Sequence, residues 1–381
     1  MSETVMIVAG ETSGELYGGL LASALRKRRP DIRIIGVGGE RMQQAGVELI
    51  SGIASAFGLA EAVSSVRTIK QTFSKAVNAL QTVNPDLLVL IDYPDFNLKL
   101  AAEARKNNIK VLYYVSPQVW AWRKKRVPQI ARLVDRMAVV LPFEEEIYKS
   151  SGLACEFVGH PVYDEIKNLP VNKDLLKSAL GLENGRPLLS LLPGSRPHEL
   201  QRLLPLMLEV VREFKKEHET YQFCMPFAPN TDIEKYRTMV QLLEGEGVTI
   251  NKGESLKTLA ASDLAVVASG TATLQAALLN VPLVVVYKVF PLTYFLGRMI
   301  VRGVKHISLV NILSDREVVK ELFQKDATVG QILQELKKIL SDEYHKKNML
   351  DAYDRIRDIY SSRNASARVA DMVEEMAGWR K

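Results

Sequence analysis

Short apolar, β-branched runs recur along this chain at helix-length intervals, and the recurrence happens twice. The runs TVMIVAG, IRIIGV, DLLVLI, KVLYYV and RMAVVL come first, with amphipathic stretches between them. Strands that read as nearly unbroken apolar runs and alternate with helices belong to a parallel sheet covered on both faces. A stretch over 161–173 that holds prolines and asparagines breaks the rhythm, which then resumes with PLLSLLPG, YQFCMPF, GVTI, DLAVVAS and PLVVVYK. Such a chain is expected to be α/β with two successive sheets, and 381 residues suffice for each domain to bury its own core. The expected domains are 1–165 and 166–345, with helices over 346–381 packing back toward the first. Beyond Asp315 the chain reads as helix, and the charged segment 343–357 as a solvated face.

Open parallel sheets bind ligands at the carboxyl ends of their strands, so the loops that follow these runs are where chemistry is expected. After the first run come Gly10-Glu11-Thr12-Ser13-Gly14-Glu15, small residues that let a helix start approach a phosphate or sugar, or that simply make a tight turn. The spacing is not that of a dinucleotide fingerprint. The run DLLVLI ends in Asp92-Tyr93-Pro94-Asp95-Phe96. Asp92 is placed to act as a base or to serve the turn, while Asp95 fits a helix cap. The run KVLYYV leads into Ser116-Pro117-Gln118-Val119-Trp120-Ala121-Trp122-Arg123-Lys124-Lys125-Arg126. Two indoles beside four successive cations suit a phosphate, a membrane interface or a solvated basic face.

In the second half, Gly194 closes the run PLLSLLPG, Ser195 and Arg196 follow it, and the planar fork of Arg196 suits a diphosphate. The segment Ser269-Gly270-Thr271-Ala272-Thr273-Leu274-Gln275 opens a helix whose free N–H groups and hydroxyls form an anion site.

The apolar fraction of 47% and charged fraction of 25% exclude disorder, collagen and coiled coil. No stretch approaches the roughly 18 apolar residues of a spanning helix, and no signal sequence opens the chain, so a cytoplasmic protein is expected. Cys155 and Cys224 stand apart in apolar surroundings and read as buried structural thiols. A net charge of +6 attracts polyanions. Nucleic acid is the weakest of these, because no motif that reads bases is present.

Taken in order, IVAGETSGE, IDYPDFN, YYVSPQVWAWRKKR, LPFE, FVGHPVYD, LLPGSR, ASGTATLQAAL and LVNIL resemble the lipid-A-disaccharide synthases, over about Ile7 to Leu313. The resemblance implies a GT-B fold, with two Rossmann-like parallel-sheet domains facing a central cleft and a helical C-terminal end. It implies an inverting transfer of 2,3-diacylglucosamine from its UDP derivative to 2,3-diacylglucosamine 1-phosphate (lipid X), giving a β-1,6-linked disaccharide and UDP. Asp92 falls on the aspartate that takes the proton from the acceptor hydroxyl. Gly194, Ser195, Arg196, Ser269, Gly270, Thr271 and Thr273 fall on the UDP-sugar site, with Asn311 of LVNIL facing the donor. Gln275 stands where the family often has Glu against the ribose; it keeps a hydrogen bond but loses the charge. Glu11, Ser13, Gly14, Asp95, Trp120 and Arg123 fall to the acceptor or its surroundings. No cofactor and no metal are implied, because there is no D-x-D string and Arg196 with a helix N-terminus can stabilise the leaving diphosphate.

Acylated substrates imply peripheral contact with the inner face of the inner membrane, by a monomer or a homodimer. On a helix over 59–80, Val66, Ile69 and Phe73 share an apolar face with Lys70 near its middle, and Phe295 and Arg298 belong to a similar mixture in the second domain. The competing readings are another GT-B enzyme on UDP-N-acetylglucosamine, either a lipid-linked transferase or an epimerase, and a two-lobed sugar-binding protein, which is normally exported.

Overall fold

The computed structural model describes residues 3–52, 61–122, 124–288 and 305–379. Its first apolar runs are β1 (Thr4–Ala9), β2 (Arg33–Gly38), β4 (Leu87–Ile91), β5 (Lys110–Tyr114) and β6 (Arg136–Val139), flanked by edge strands β3 (Glu48–Gly52) and β7 (Ala154–Phe157). All pair in parallel in the order β3-β2-β1-β4-β5-β6-β7. Every residue of β1 and β4 is buried, as strands covered on both faces require. The order reverses between β1 and β4, which lie side by side with Ala9 opposite Ile91. That is the topological switch point where a parallel sheet opens a crevice.

The second sheet repeats the scheme with β8 (Leu188–Leu192), β9 (Gln222–Phe227), β10 (Val248–Lys252), β11 (Leu264–Ala268), β12 (Leu283–Tyr287) and β13 (Glu321–Phe323). Its order is β10-β9-β8-β11-β12-β13, with the switch between β8 and β11. Strand β13 interrupts the expectation of unbroken helix after Asp315: three residues at a sheet edge carry no periodic signature in sequence.

The chain divides into two compact units, Met1–Asp164 with Ser362–Lys381, and Glu165–Ser361. It returns to the first unit at Ser362, later than the expected 346. The helix Glu343–Ser361 stays in the second unit, burying Met349, Tyr353, Ile356 and Tyr360 and packing on the helix Thr271–Leu278. The following helix Ala365–Ala377 lies against Thr12–Arg28. Asp164, buried at the end of the first stretch, receives the N–H groups of Ala365 (3.3 Å) and Ser366 (2.8 Å) and the Ser366 hydroxyl (2.8 Å). A carboxylate at a helix start satisfies orphan donors and complements the helix dipole. Ion pairs of Arg28 with Asp371 (2.8 Å) and of Arg29 with Glu374 (3.0 Å) complete the seam.

Candidate active site

On the first sheet, the turns after β1 and β4 meet at the switch point. Asp92 and Tyr93 both have φ +47°, two successive non-glycine residues in the left-handed region. Each such residue costs about 1–2 kcal/mol, so the surroundings must hold the turn. The buried Asn97 amide donates to the carbonyls of Ile91 (3.1 Å) and Asp92 (2.7 Å), and the Tyr113 hydroxyl donates to the Asp92 carbonyl (2.6 Å). Tyr93 lies where a Cβ on Gly10 would be, 2.2 Å from its ring atoms, so only glycine fits there. The Tyr93 ring stacks on Phe96, and burial, then Glu11 and Asp95, push its hydroxyl above the usual range.

Glu11 is therefore close to Tyr93 and half-buried, at the start of the helix Thr12–Arg28. Ser13 is half-buried, and Gly14 is packed against Ala9 and Ile91. Glu15, Gly18 and Gly19 are structural: Glu15 receives the Arg41 N–H (2.8 Å), and the two glycines admit Met42 and Arg41 at close range. Asp95 does not cap its helix. Pro94 takes the first helical position, so Asp95 falls inside the first turn, where it pairs with Arg126 at 2.9 Å.

After β5, Val115 is left-handed as well (φ +63°). The next residues are anchored on Glu144, 2% exposed, which receives the Ser116 hydroxyl (2.8 Å), the Trp120 indole N–H (3.3 Å) and the Leu141 N–H (3.2 Å). Trp120 also meets Phe143 edge-on, so this indole is partly committed inside the unit. Arg123 lies outside the described residues, as do Phe295 and Arg298. Nothing in the periodicity marked Glu144, although it ends the LPFE string.

Burial pushes the Glu144 carboxyl up to about 7, against the hydrogen bonds that favour its ionised form. A raised carboxyl favours the folded state most when protonated, so this contribution is complete below about 4.5 and is lost as pH rises through about 7. The full shift corresponds to roughly 3 kcal/mol. Glu144→Gln should remove that slope: between pH 5 and 8, thermal melts should show the variant gaining on the wild type. A gap between the two that stays constant with pH would mean that Glu144 does not titrate there.

On the second sheet, the turns after β8 and β11 follow strands that lie side by side, with Val267 opposite Leu192. Gly194 (φ +94°) approaches Glu199 so closely that a Cβ would lie 2.2 Å from a carboxylate oxygen. That buried carboxylate receives the N–H groups of Ser195 (3.0 Å) and Arg196 (3.1 Å) and so fixes the turn. Arg196 opens the helix Pro197–Glu217, its side chain 41% exposed and its guanidinium 3.9 Å from Glu199. Glu three residues after the cap is a helix-start signal that could have been read from sequence. At the end of β12, burial and then Arg202 lower the Lys288 ammonium, placing another cation on this rim that sequence reading missed.

After β11, Gly270 (φ +152°) precedes the helix Thr271–Leu278, and open space surrounds it. Thr271 and Gln275 are half-buried. Two expected donor contacts are turned inward. Thr273 is fully buried and its hydroxyl donates to the Gly270 carbonyl (2.8 Å). Asn311 is fully buried: its amide donates to Val319 (2.9 Å) and Glu321 (2.8 Å), and its oxygen accepts from Val318 (2.7 Å) and Val319 (3.0 Å). That exhausts the hydrogen-bonding capacity of the amide, so Asn311 braces the segment that follows it, up to Glu321, instead of facing a ligand. The Ser269 hydroxyl donates to the Ile307 carbonyl (2.9 Å). Ile307 and Ser308 in turn donate to Glu321, a half-buried carboxylate that sequence reading also missed.

The expected membrane face divides. Ile69 and Phe73 pack on the first core, Phe73 edge-on to Phe96, because their stripe faces the sheet. Val66 is 51% exposed, and Lys70 is exposed beside it, not enclosed by apolar side chains. Among the described residues, no helix is long and apolar enough to cross a membrane, and no three His, Cys, Asp or Glu side chains are grouped to hold a metal.

A family model described as lipid-A-disaccharide synthetase matches residues 5–373. The chain belongs to this family. The lipid-A-disaccharide synthase of Syntrophus aciditrophicus is 43% identical over 373 residues, covering 97% of each chain. That of Geobacter sulfurreducens is 40% identical over 383 residues, covering 99% of this chain and 98% of the relative. Among solved structures, the UDP-GlcNAc 2-epimerase from Neisseria meningitidis bound to UDP-GlcNAc superposes with a TM-score of 0.64 at 11% identity, covering 94% of this chain and all of that one. Identity that low carries the fold alone, a GT-B architecture of two Rossmann-like domains. The family match favours the transferase over the epimerase.

Proposed function

We propose that this glycosyltransferase moves 2,3-diacylglucosamine from its UDP derivative to 2,3-diacylglucosamine 1-phosphate with inversion, forming the β-1,6-linked disaccharide of lipid A and UDP. Family membership supports the reaction. The observation that carries the assignment of roles is the pair of switch points, one presenting Asp92 and the other Arg196 with a helix N-terminus. Asp92 takes the proton of the acceptor 6-hydroxyl as that oxygen bonds to the donor's anomeric carbon. The bond from this carbon to the diphosphate breaks, and its electrons leave with UDP. Arg196, the Ser195 turn and the free N–H groups at Thr271 hold the diphosphate, because donors fixed in advance stabilise charge as it develops. Gln275, one turn along that helix, serves the ribose. Glu11, Ser13 and Trp120 belong to the acceptor side.

We infer peripheral binding to an anionic membrane surface by Val66, Arg67 and Lys70, all exposed on the helix Glu61–Thr82. One assay tests the reaction and the surface together: UDP release by purified protein, with both acylated substrates carried in anionic or neutral vesicles. Release should require the acyl-UDP-glucosamine and the acceptor, run faster on anionic vesicles and fall with salt. Equal release when unacylated UDP-N-acetylglucosamine replaces the acylated donor would favour the alternative GT-B reading. Indifference to vesicle charge would remove the surface assignment.

A further inference from the structure

The Asp92 carbonyl lies just past the end of β4, where ladder partners run out, yet two donors reach it. Asn97 supplies one from its own helix, 2.7 Å away, and Tyr113 supplies the other from the neighbouring strand, 2.6 Å away. A carbonyl oxygen has two lone pairs, so its capacity is filled and the plane of the peptide joining Asp92 to Tyr93 is fixed from both sides. On the other side of the residue, the Asp92 N–H donates to the Tyr114 carbonyl (3.2 Å), and the Tyr93 carbonyl receives the Asn97 N–H (3.0 Å). The two left-handed residues are thereby over-determined, as a strained turn must be if it is to persist. Both donors are fully buried, and the charge of Asp92 adds to burial in raising the Tyr113 hydroxyl, so this ring lies close to the carboxylate as well as to the carbonyl.

We propose that Tyr113 and Asn97 are positioning residues for the transfer: by saturating the Asp92 carbonyl they hold the turn left-handed and aim the Asp92 carboxylate at the acceptor hydroxyl. The proposal rests on the reading of Asp92 as the base. Asn97 closes the IDYPDFN string, and this contact gives that position a physical reason.

Tyr113→Phe removes one donor and leaves the ring in the core and the Asn97 contact in place, so the protein still folds. Turnover should fall about 3- to 10-fold, the worth of one hydrogen bond, with KM for both substrates unchanged. In an Asp92→Asn background the same substitution should cost nothing further, because no base remains to be aimed. An equal fractional loss in both backgrounds would overturn the proposal in favour of a general structural role. So would wild-type turnover in Tyr113→Phe while Asp92→Asn is nearly inactive, which would leave Asp92 as the base but not dependent on its brace. Near-normal turnover of Asp92→Asn would bring down the base assignment and this inference together.

Discussion

Asp92→Asn should lower turnover by about 100- to 10,000-fold while UDP binds as it does to the wild type, the usual consequence of losing a general base. The substitution is a clean one. Asparagine matches aspartate in shape and tolerates the left-handed region better than most residues, so the turn at φ +47° can persist. The Asn97 and Tyr113 contacts go to the main-chain carbonyl and survive the change. What disappears is an oxygen able to take a proton. The donor contacts proposed above all come from residues of the other unit, so UDP titrations of the two proteins should overlay. If saturating substrates gave near-normal rates, the base would have to be sought at Glu11, which neighbours Tyr93, since Asp95 is paired with Arg126.

Arg196→Lys should weaken UDP binding by roughly 10-fold or more, although charge is conserved. A guanidinium binds two phosphate oxygens through a rigid fork, whereas an ammonium is a point charge on a flexible stem. The backbone at this position is held by main-chain contacts that lysine retains, since the N–H groups of Ser195 and Arg196 both rest on Glu199. Loss of affinity would then report the fork and not a collapsed turn. Calorimetric titration giving one affinity for both proteins would remove Arg196 from the donor site.

The sheets were legible because buried parallel strands have to be apolar throughout, and β1, β4, β8 and β11 are unmistakable for that reason. Edge strands have no such obligation. Glu48–Gly52, Ala154–Phe157 and Glu321–Phe323 carry charges and left little trace. In the site, the positions beyond strand ends could be read, but the partners of their side chains could not. Asn311 looks polar and available in sequence; four hydrogen bonds to a segment several residues away make it internal. The converse error is more instructive. Glu144, Glu199 and Glu321 each gather main-chain N–H groups of a loop beside the site, and none was singled out. A glutamate is normally solvated, and its sequence neighbours do not reveal that it has been drawn inside to satisfy a backbone.

The helix Ala365–Ala377 packs on Thr12–Arg28 and is tied down by Asp164, although the whole of Glu165–Ser361 intervenes in the chain. During synthesis, every residue of the second unit must therefore emerge before the first can be finished. Until then the face of Thr12–Arg28 that receives this helix lacks its cover, and Arg28 and Arg29 lack their partners Asp371 and Glu374. Order of translation and order of completion run opposite ways here: the unit begun first is closed last.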